Sequence, residues 1–389
     1  MQAHLVHLLK HPEKYQIVAL LNSSPQKAKD AIEKFGLPSS TRAYGLPEDL
    51  ANDPDVELVV CSSRVDKHYS TLLPSVKAGK SVFSEWPLGS NLDQAKELAE
   101  IAKSTGARTV VGLQAQHSPY VLKVKEIIES GAIGRVLSTT WTGNAGILGD
   151  KPTSPGLKYL GEKAVGGNLL TISFAHCKSY DCIHLYGWVQ DGQGARTGTN
   201  TFSIAFDSVL FALGAELSSF NSLIGNQRPE VVVYDSATKK NVETFTKDTP
   251  DQIIIDGYLS NGALVSYHLR GGSIFPGFPA LVWRVYGETG EVLLTAQSNA
   301  MIMIGSDDIT ISVHNFKNEE AQKISIDEGE YKALSVPGRN VARLYDAYAE
   351  GGPVPDWEWA KKRHALVQEI FVREENGSQV TPAEYTSIV

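Results

Sequence analysis

Three clusters of polar residues stand at the ends of short apolar runs in the first quarter of the chain. Asn22-Ser23-Ser24 follows QIVALL, Ser62-Ser63-Arg64 follows LVVC, and Glu85-Trp86-Pro87 follows SVFS. Hydroxyl groups and a guanidinium can hydrogen-bond ribose and phosphate oxygens, so these residue types suit a nucleotide. Taken alone, each cluster fits an N-capped turn with a solvated arginine equally well.

The surrounding sequence alternates between short apolar runs and segments with helical periodicity, which indicates βαβ units and a parallel sheet. The predicted strands are residues 16–21, 58–61, 81–84 and 109–113, and the predicted helices are residues 3–10, 25–35, 69–78 and 92–105. Parallel sheets bind ligands beyond the carboxyl ends of their strands. We therefore expect the three polar clusters to border one crevice.

The rest of the chain is dominated by predicted strands. A helix at residues 121–130 precedes strands at 135–143, 230–235, 253–259, 263–269, 280–286, 291–295 and 309–314, and amphipathic helices are predicted at 339–350 and 358–375. Turns such as Ser260-Asn261-Gly262 favour hairpins and hence a mostly antiparallel sheet. The sequence thus predicts an α/β protein that combines a Rossmann-type parallel sheet with an α+β domain containing an open, mostly antiparallel sheet.

Composition excludes several classes of protein. The 389 residues are 42% hydrophobic and 21% charged, with a net charge of −8 and a pI near 5.7. A mildly acidic surface disfavours non-specific nucleic-acid binding. Cys61, Cys177 and Cys182 indicate a reducing compartment, and they lack the spacing of a zinc site. Because no apolar stretch of about 20 residues occurs, we expect a cytoplasmic or nuclear protein with no membrane span and no metal.

The beginning of the chain departs from this pattern. A predicted helix at residues 3–10 leads into the strand at 16–21, yet no strand and no glycine-rich loop stand before it. Backbone N–H groups of a G-x-G-x-x-G loop normally hold the pyrophosphate of a dinucleotide. The sequence therefore suggests a parallel sheet without its first strand, and we expect that the start site is assigned too far downstream.

Several motifs, in the same order along the chain, resemble the Gfo/Idh/MocA oxidoreductases. They are Ser62-Ser63-Arg64 with His68-Tyr69, Ala78-Gly79-Lys80, Glu85-Trp86-Pro87-Leu88-Gly89 and Asp356-Trp357-Glu358. Further segments are similar to a fungal branch of that family, the galactose-regulon repressor proteins: Gly112-Leu113-Gln114, Ser118-Pro119-Tyr120 and Gly143-Asn144-Ala145-Gly146. The resemblance implies a dinucleotide-binding domain at residues 1–117, a substrate or oligomerisation sheet domain at 118–336, and C-terminal helices at 337–389 that pack on both.

The resemblance also implies that the chain binds NAD or NADP and forms a homo-oligomer. The residues that would bind the dinucleotide are Asn22, Ser23, Ser62, Ser63, Arg64, His68, Glu85, Trp86, Pro87 and Gln114. Proteins selective for NAD usually present an acidic residue to the ribose hydroxyls. Because the turn at Asn22-Ser23-Ser24 is neutral, it permits a 2′-phosphate, which favours NADP.

Catalytic residues of the family are largely replaced. Where active members carry the lysine of an E-K-P motif, this chain has Trp86, whose indole cannot relay a proton. Ile172 stands at the position of the family's aspartate, and His176 at the position of its histidine. His176 is the remaining candidate catalytic residue, although a lone histidine without an orienting partner more often lines a cleft without chemistry. We expect Trp86 to stack on the nicotinamide as a cleft wall or to fill its place.

Two functions therefore stay open. The chain is an oxidoreductase relative that binds NAD(P) and acts on a sugar or polyol with impaired or lost catalysis, or it is a non-catalytic regulator that binds a transcriptional activator protein. In the second case the open sheet face would serve dimerisation or partner binding. Bound cofactor without turnover favours the regulator.

Residues 178–203 do not follow the family pattern. Within them, residues 190–200 are polar and glycine-rich and have no helix or strand period. Both ends of the segment can be encoded by sequences that resemble splice sites, so one hypothesis is an intron translated in frame. An inserted surface loop fits the sequence equally well.

Sequencing of full-length transcripts tests both expectations about the gene. We expect an upstream exon that encodes a strand and a G-x-G-x-x-G loop, and removal of the region that encodes residues 178–203. An in-frame stop just before Met1, with no upstream exon, contradicts the first expectation. Peptides from residues 178–203 at full abundance in a digest of native protein contradict the second.

Overall fold

The computed structural model describes residues 2–172, 206–298, 300 and 307–375. His176 and the segment 178–203 lie outside this part of the chain. In the first third, the helices are α1 Gln2–Lys10, α2 Pro25–Lys34, α3 Pro47–Asn52, α4 Val65–Lys77 and α5 Leu92–Thr105, and the strands are β1 Ala19–Leu21, β2 Arg42–Tyr44, β3 Leu58–Cys61, β4 Ser81–Ser84 and β5 Thr109–Val111.

Side-chain caps define where two of these helices begin. Ser24 Oγ accepts a hydrogen bond from the Lys27 backbone N–H at 3.3 Å, and Asn91 Oδ1 accepts one from the Gln94 N–H at 3.0 Å. Both caps satisfy donors that have no partner within the helix. Gly106 ends α5 with φ of 70°, a conformation that strains glycine least. The connections between strand ends and helix starts are thereby held in place.

Parallel strands form two separate sheets. β1 pairs with β2, and β4 lies between β3 and β5. Within the described residues no backbone ladder joins β1 to β3, which agrees with a parallel sheet without its first strand. The three polar clusters directly follow β1, β3 and β4, so each lies at the carboxyl end of its strand.

A larger sheet has eight strands: β6 Val136–Asn144, β7 Leu217–Gly225, β10 Gln252–Leu259, β11 Leu264–Arg270, β12 Leu281–Gly287, β13 Gly290–Ala296, β14 Thr310–Asn315 and β15 Gln322–Ile324. Their order is β15-β14-β13-β12-β6-β11-β10-β7, and only β6 and β11 run parallel to each other. A separate hairpin contains β8 Glu230–Asp235 and β9 Lys240–Thr246. The mixed, mostly antiparallel sheet and the parallel strands confirm the predicted fold class.

One face of the large sheet is covered by aromatic side chains and helices. Trp141 and Trp283 lie opposite each other on β6 and β12, and each is 1% exposed. Tyr267 stacks on Trp141 at 4.6 Å between ring centres, and Phe206 lies 4.9 Å from Tyr267. Phe206 is the first residue of α8. Alternate side chains of a strand point to the same face, and on this face the aromatic side chains pack against α8. The helices on this side are α6 Pro119–Glu129, α7 Leu169–Ile172 and α8 Phe206–Leu213.

Two C-terminal helices, α9 Val336–Ala349 and α10 Trp357–Glu375, complete the described fold. Trp357 Nε1 donates a hydrogen bond to Ser84 Oγ, at the end of β4, at 3.0 Å. Arg363 pairs with Asp207 of α8 at 2.7 Å and with Glu216, just before β7, at 2.5 Å. Helix α10 therefore ties the parallel strands to the large sheet.

Most predicted elements are confirmed, and β3, β4, β8 and α5 have the predicted bounds. Helix α4 begins at Val65 instead of Tyr69, and β1 is shorter than the predicted strand at residues 16–21. The sequence does not predict β2, α3, α7, β7, β9 and β15, because they are short or have weak apolar alternation. No helix in the described ranges has the length and apolar composition needed to cross a membrane.

Candidate functional site

The carboxyl end of β1 carries an accessible polar turn. Asn22 and Ser23 are exposed, and Asn22 Oδ1 accepts a hydrogen bond from the Ser23 backbone N–H at 2.7 Å. The following helix, α2, has no acidic residue in its first turn, and Lys27 lies there. Because the amino end of a helix is electropositive, this turn suits an anionic group such as a phosphate.

The loop after β3 offers hydroxyl groups beside a paired cation. Ser62 and Ser63 are half-buried, and the Arg64 side chain is 45% exposed. The Arg64 guanidinium binds both oxygens of Asp66, with Nε–Oδ1 at 2.5 Å and Nη2–Oδ2 at 2.8 Å. Asp66 therefore offsets the charge of Arg64, and the hydroxyls of Ser62 and Ser63 are the main polar groups that this loop offers.

Trp86, in the turn after β4, is enclosed in the interior. It has no exposed surface, and its Nε1 donates a hydrogen bond to the Thr171 carbonyl oxygen at 2.9 Å. Its ring lies 4.6 Å from that of His364, and its peptide bond to Pro87 is cis. The single donor of the indole is thus used inside the protein.

Two buried histidines hold the same turn from opposite helices. His68 of α4 places Nδ1 2.8 Å from the Pro87 carbonyl oxygen and Nε2 2.9 Å from that of Ser63. Burial lowers the pKa of His68, so the neutral ring donates one of these two hydrogen bonds. From α10, His364 Nε2 accepts a hydrogen bond from the Leu88 backbone N–H at 3.1 Å.

Glu85 lies beneath this turn with both carboxylate oxygens engaged. It is 2% exposed, its Oε1 lies 2.8 Å from His4 Nε2, and its Oε2 accepts a hydrogen bond from Gln114 Nε2 at 2.8 Å. A Cβ at Gly112 would lie 2.2 Å from Glu85 Oε2, so only glycine leaves room for this carboxylate. The Gly112-Leu113-Gln114 motif therefore shapes the pocket around Glu85.

The ends of β1 and β3 offer accessible polar groups for the ribose and phosphates of a dinucleotide, whereas the end of β4 is largely buried. Asn22, Ser23, Ser62 and Ser63 present amide and hydroxyl groups at accessible strand ends, which suits ribose and phosphate oxygens. At the β4 end, Gln114 is 5% exposed and its Oε1 has no hydrogen-bond partner among the described residues. A buried acceptor without a donor is costly, and a ligand N–H or O–H would satisfy it.

Eight of the ten predicted binding residues directly follow β1, β3 or β4. The other two, His68 and Gln114, form hydrogen bonds with residues that do. Five of the ten are buried and contact other protein groups: His68, Glu85, Trp86, Pro87 and Gln114. Their role toward a cofactor stays a prediction. The predicted catalytic residue His176 lies outside the described residues.

The sequence does not point to three residues that complete the site: the side chains of His4 and His364, and Thr171 through its carbonyl oxygen. Asn168 explains the position of Thr171, because its Oδ1 accepts hydrogen bonds from the backbone N–H groups of Leu170 and Thr171 at the start of α7. The capping pattern at Asn168 was a readable signal. His4 and His364 gave none, because each reaches the site from a distant part of the chain.

Two family models match the chain. Residues 1–113 match the model described as an oxidoreductase family with an NAD-binding Rossmann fold. Residues 119–186 and 184–296 match the model described as the C-terminal domain of Gal80p. The boundary between the two matches lies close to the predicted boundary between the first two domains.

Relatives of two kinds are found. The dehydrogenase aclE of Aspergillus oryzae is 39% identical over 168 residues, which are 42% of this chain and 44% of that protein. The galactose/lactose metabolism regulatory protein GAL80 of Saccharomyces cerevisiae is 26% identical over 301 residues, which are 75% of this chain and 62% of that protein. The chain thus spans less than two thirds of the length of these curated relatives.

Solved structures share the fold. A super-repressor mutant of Gal80p from Saccharomyces cerevisiae has a TM-score of 0.80 at 22% identity, with 97% of this chain and 92% of that chain covered. Levoglucosan dehydrogenase in complex with NADH and levoglucosan has a TM-score of 0.68 at 18% identity, with 95% and 93% covered. At these identities the likeness shows the fold alone.

The buried histidines predict that acid destabilises the protein. Burial lowers the pKa of His364 to about 3, so the folded protein binds this proton only at a lower pH than the unfolded chain does. Stability due to this group is complete above pH 6.5 and is lost as the pH falls toward 3, by about 1.4 kcal/mol per pH unit below pH 6. We expect the free energy of unfolding, measured by urea denaturation, to fall over this range.

His364→Gln tests the assignment, because glutamine can accept the Leu88 hydrogen bond but does not titrate. Below pH 6 we expect the free energy of unfolding of the variant to fall less steeply with pH than that of the unmodified protein. The difference in slope corresponds to one proton, or about 1.4 kcal/mol per pH unit. His11→Gln, just after α1 and paired with Glu13, is the matched control and should keep the slope of the unmodified protein. Equal slopes for His364→Gln and the unmodified protein would contradict the assignment.

Proposed function

We propose that this chain, which belongs to the Gfo/Idh/MocA oxidoreductase family and to its galactose-repressor-like branch, binds a nicotinamide dinucleotide and has impaired or lost catalysis. The observation that carries the proposal is Trp86. It stands where active family members carry a lysine, it has no exposed surface, and its only donor binds Thr171. An indole in this state neither gives nor takes a proton.

The dinucleotide would lie across the carboxyl ends of β1 and β3. Asn22 and Ser23 would contact the adenosine ribose, and Ser62 and Ser63 would contact ribose or phosphate oxygens further along. The neutral turn after β1 and Lys27 in the first turn of α2 support a 2′-phosphate, so we propose a preference for NADP over NAD.

When bound, the dinucleotide supplies a group that gives or accepts a hydride. Turnover of a sugar or polyol also needs a residue that moves the hydroxyl proton. Among the described residues at this end, Glu85 has both oxygens engaged, and the rings of His68 and His364 are buried against backbone groups. The described part of the site therefore binds and orients, and we propose that any redox activity on a sugar or polyol is weak.

A second candidate function is regulation. The match of residues 119–186 and 184–296 to the Gal80p C-terminal domain and the 26% identity to the yeast regulatory protein over 75% of this chain favour it. In this case the dinucleotide fold would act as a sensor, and the protein would bind a transcriptional activator instead of turning over a substrate. Retained dinucleotide binding with no turnover supports this candidate.

Binding and turnover can be measured on the same full chain. We expect NADPH to bind with a dissociation constant below that of NADH, as measured by calorimetry. With NADP⁺ and a panel of aldoses we expect no absorbance change at the nicotinamide band above background. Ser23→Asp is the variant for specificity, because a carboxylate beside the 2′-phosphate should weaken NADPH binding tenfold or more and leave NADH binding similar.

Three outcomes separate the candidates. Binding without turnover supports the regulator, and binding with turnover that depends on an aldose supports an active enzyme. If neither dinucleotide binds, the proposed function is wrong.

We further propose that the open face of the large sheet binds a second copy of the chain. Leu223, Tyr258, Leu264 and Tyr286 lie on this face, and each is between 44% and 55% exposed. Tyr258 pairs with Leu264 across β10 and β11, and Ser138 of β6 lies between Leu264 and Tyr286, so these side chains form a patch of apolar and hydroxyl groups. Exposed apolar patches mark interaction surfaces, and a two-fold contact uses the same patch on both copies.

Light scattering tests the assembly. We expect the full chain to have twice its monomer mass of 42.3 kDa, and Tyr258→Lys to shift it to the monomer because a charge would be buried in the contact. Leu46→Lys, at a residue 60% exposed before α3, is the control and should leave the mass unchanged. A monomer mass for the unmodified chain at micromolar concentration would contradict the proposal.

A further inference from the structure

We propose that two copies of the chain meet about a two-fold axis that runs along the line between β11 and β6, and that Asp256 of each copy pairs with the partner's Arg284. This inference rests on the proposed sheet-face contact and deepens it, because it names the axis and the charges that select it. Its basis is the register of the four central strands and the exposure of one row of their side chains.

One row of exposed side chains crosses the four central strands of the open face. Asp256 of β10 lies opposite Ser266 of β11, which lies opposite Thr140 of β6. Thr140 in turn lies opposite Arg284 of β12, and all four residues are exposed. The row therefore has a carboxylate at one end, a guanidinium at the other and two hydroxyls between them. Three strand spacings, roughly 14 Å, separate the two charges, so they do not pair within one copy.

The directions of these strands are symmetric about the line between β11 and β6. These two strands run parallel to each other, whereas β10 and β12 each run antiparallel to their inner neighbour. A two-fold axis along the line preserves strand direction, so it places β11 over the partner's β6 and β10 over the partner's β12. Each row stays at its own height. Packed sheets favour nearly aligned strands about 10 Å apart, which this arrangement provides.

This axis brings unlike charges together. Asp256 lies over the partner's Arg284, and by symmetry Arg284 lies over the partner's Asp256, so the contact occurs twice. In the adjacent row Tyr258 lies over the partner's Tyr286, because these residues occupy β10 and β12 at the same height. Opposite charges and paired aromatic rings both suit an interface.

A two-fold axis that runs across the strands gives the opposite result. It places each strand over its own copy, so Asp256 lies near the partner's Asp256 and Arg284 near the partner's Arg284. Like charges that face each other across an interface repel. The charges of the row therefore favour the axis along β11 and β6.

Both charged groups are available for such a contact. Asp256 is exposed and forms no hydrogen bond or ion pair within the described ranges. Arg284 donates from Nε and Nη2 to the two carboxylate oxygens of Glu291, at 2.7 and 3.0 Å, and its side chain is 52% exposed. A guanidinium has five N–H donors, so Glu291 orients Arg284 and leaves donors for a second carboxylate.

The open face is large enough for a stable dimer. At a strand spacing of about 4.8 Å and a rise of about 3.3 Å per residue, its eight strands present roughly 900 Å² per copy. A stable interface of standard size buries about 800 Å² on each partner. The face thus matches the area that a second copy needs.

Cross-linking of the full chain tests the contact directly. A carbodiimide joins a carboxylate to an amine that touches it, and Arg284→Lys supplies the amine while it keeps the charge. We expect this variant to give a band at twice the chain mass of 42.3 kDa on a denaturing gel, above the level of the unmodified protein. Mass spectrometry should locate the link between Asp256 and position 284. Adding Asp256→Asn should abolish the band.

Arg135→Lys is the matched control for cross-linking. Arg135 is exposed and paired with a glutamate, Glu288, as Arg284 is paired with Glu291, but it lies outside the central row. We expect this variant to cross-link like the unmodified protein.

Charge reversal gives a second readout, the dimer dissociation constant measured by analytical ultracentrifugation. We expect Asp256→Arg to raise it at least tenfold, because two pairs of like charges then meet. Combining Asp256→Arg with Arg284→Asp should restore it to within threefold of the unmodified value. Asp30→Arg, at an exposed position of α2, is the control and should leave it unchanged.

The outcomes separate this inference from the proposed contact. A monomeric unmodified chain overturns both. If the unmodified chain is a dimer that Tyr258→Lys dissociates, but Arg284→Lys adds no cross-link or Asp256→Arg leaves the dissociation constant unchanged, the inference is wrong while the sheet-face contact stands. Should the double variant fail to fold, the cross-link to Asp256 decides.

Discussion

The enclosure of Trp86 is the constraint on which the rest of the site depends. An indole removed from water buries roughly 200 Å² of largely apolar surface, worth about 5 kcal/mol of stability. Its Nε1 satisfies the Thr171 carbonyl oxygen, and the turn that carries it is held by His68 on one side and His364 on the other. Moving Trp86 out would open a cavity and leave buried polar groups without partners. The position where the family resemblance implies a lysine is here part of the core.

The enclosed turn also connects the two halves of the molecule. Helix α10 contributes His364 to the turn and, one residue earlier, Arg363 to a buried ion pair with Asp207 of α8. Gln116 donates a hydrogen bond to the same aspartate at 3.1 Å, and it shares a short 3-10 turn with Gln114, the partner of Glu85. Loss of one partner from a buried ion pair costs about 3–5 kcal/mol. These contacts hold the large sheet and the turn after β4 in one fixed relation.

The sequence is most informative where local physics decides the structure. The buried runs at β3 and β4 and the Asn91 cap of α5 are readable because continuous apolar strands and capping side chains act within a few residues. Helix α4 begins at Val65 instead of the predicted Tyr69, and no capping side chain marks this start, because Arg64 at the N-cap position makes no capping hydrogen bond. The position of the three residue clusters at strand ends follows from parallel-sheet topology. By contrast, His4 and His364 reach the turn from the two ends of the chain, and no local pattern encodes such contacts.

A crystal structure of the full chain with NADPH tests the central claim most directly, because it shows the coenzyme and Trp86 together. The account predicts the coenzyme across the ends of β1 and β3, near Ser23 and Ser62, with the Trp86 indole still enclosed and hydrogen-bonded to Thr171. Coenzyme density away from these strand ends would contradict the account. So would a structure in which Trp86 has left the interior and a protonatable side chain stands in its place beside the nicotinamide.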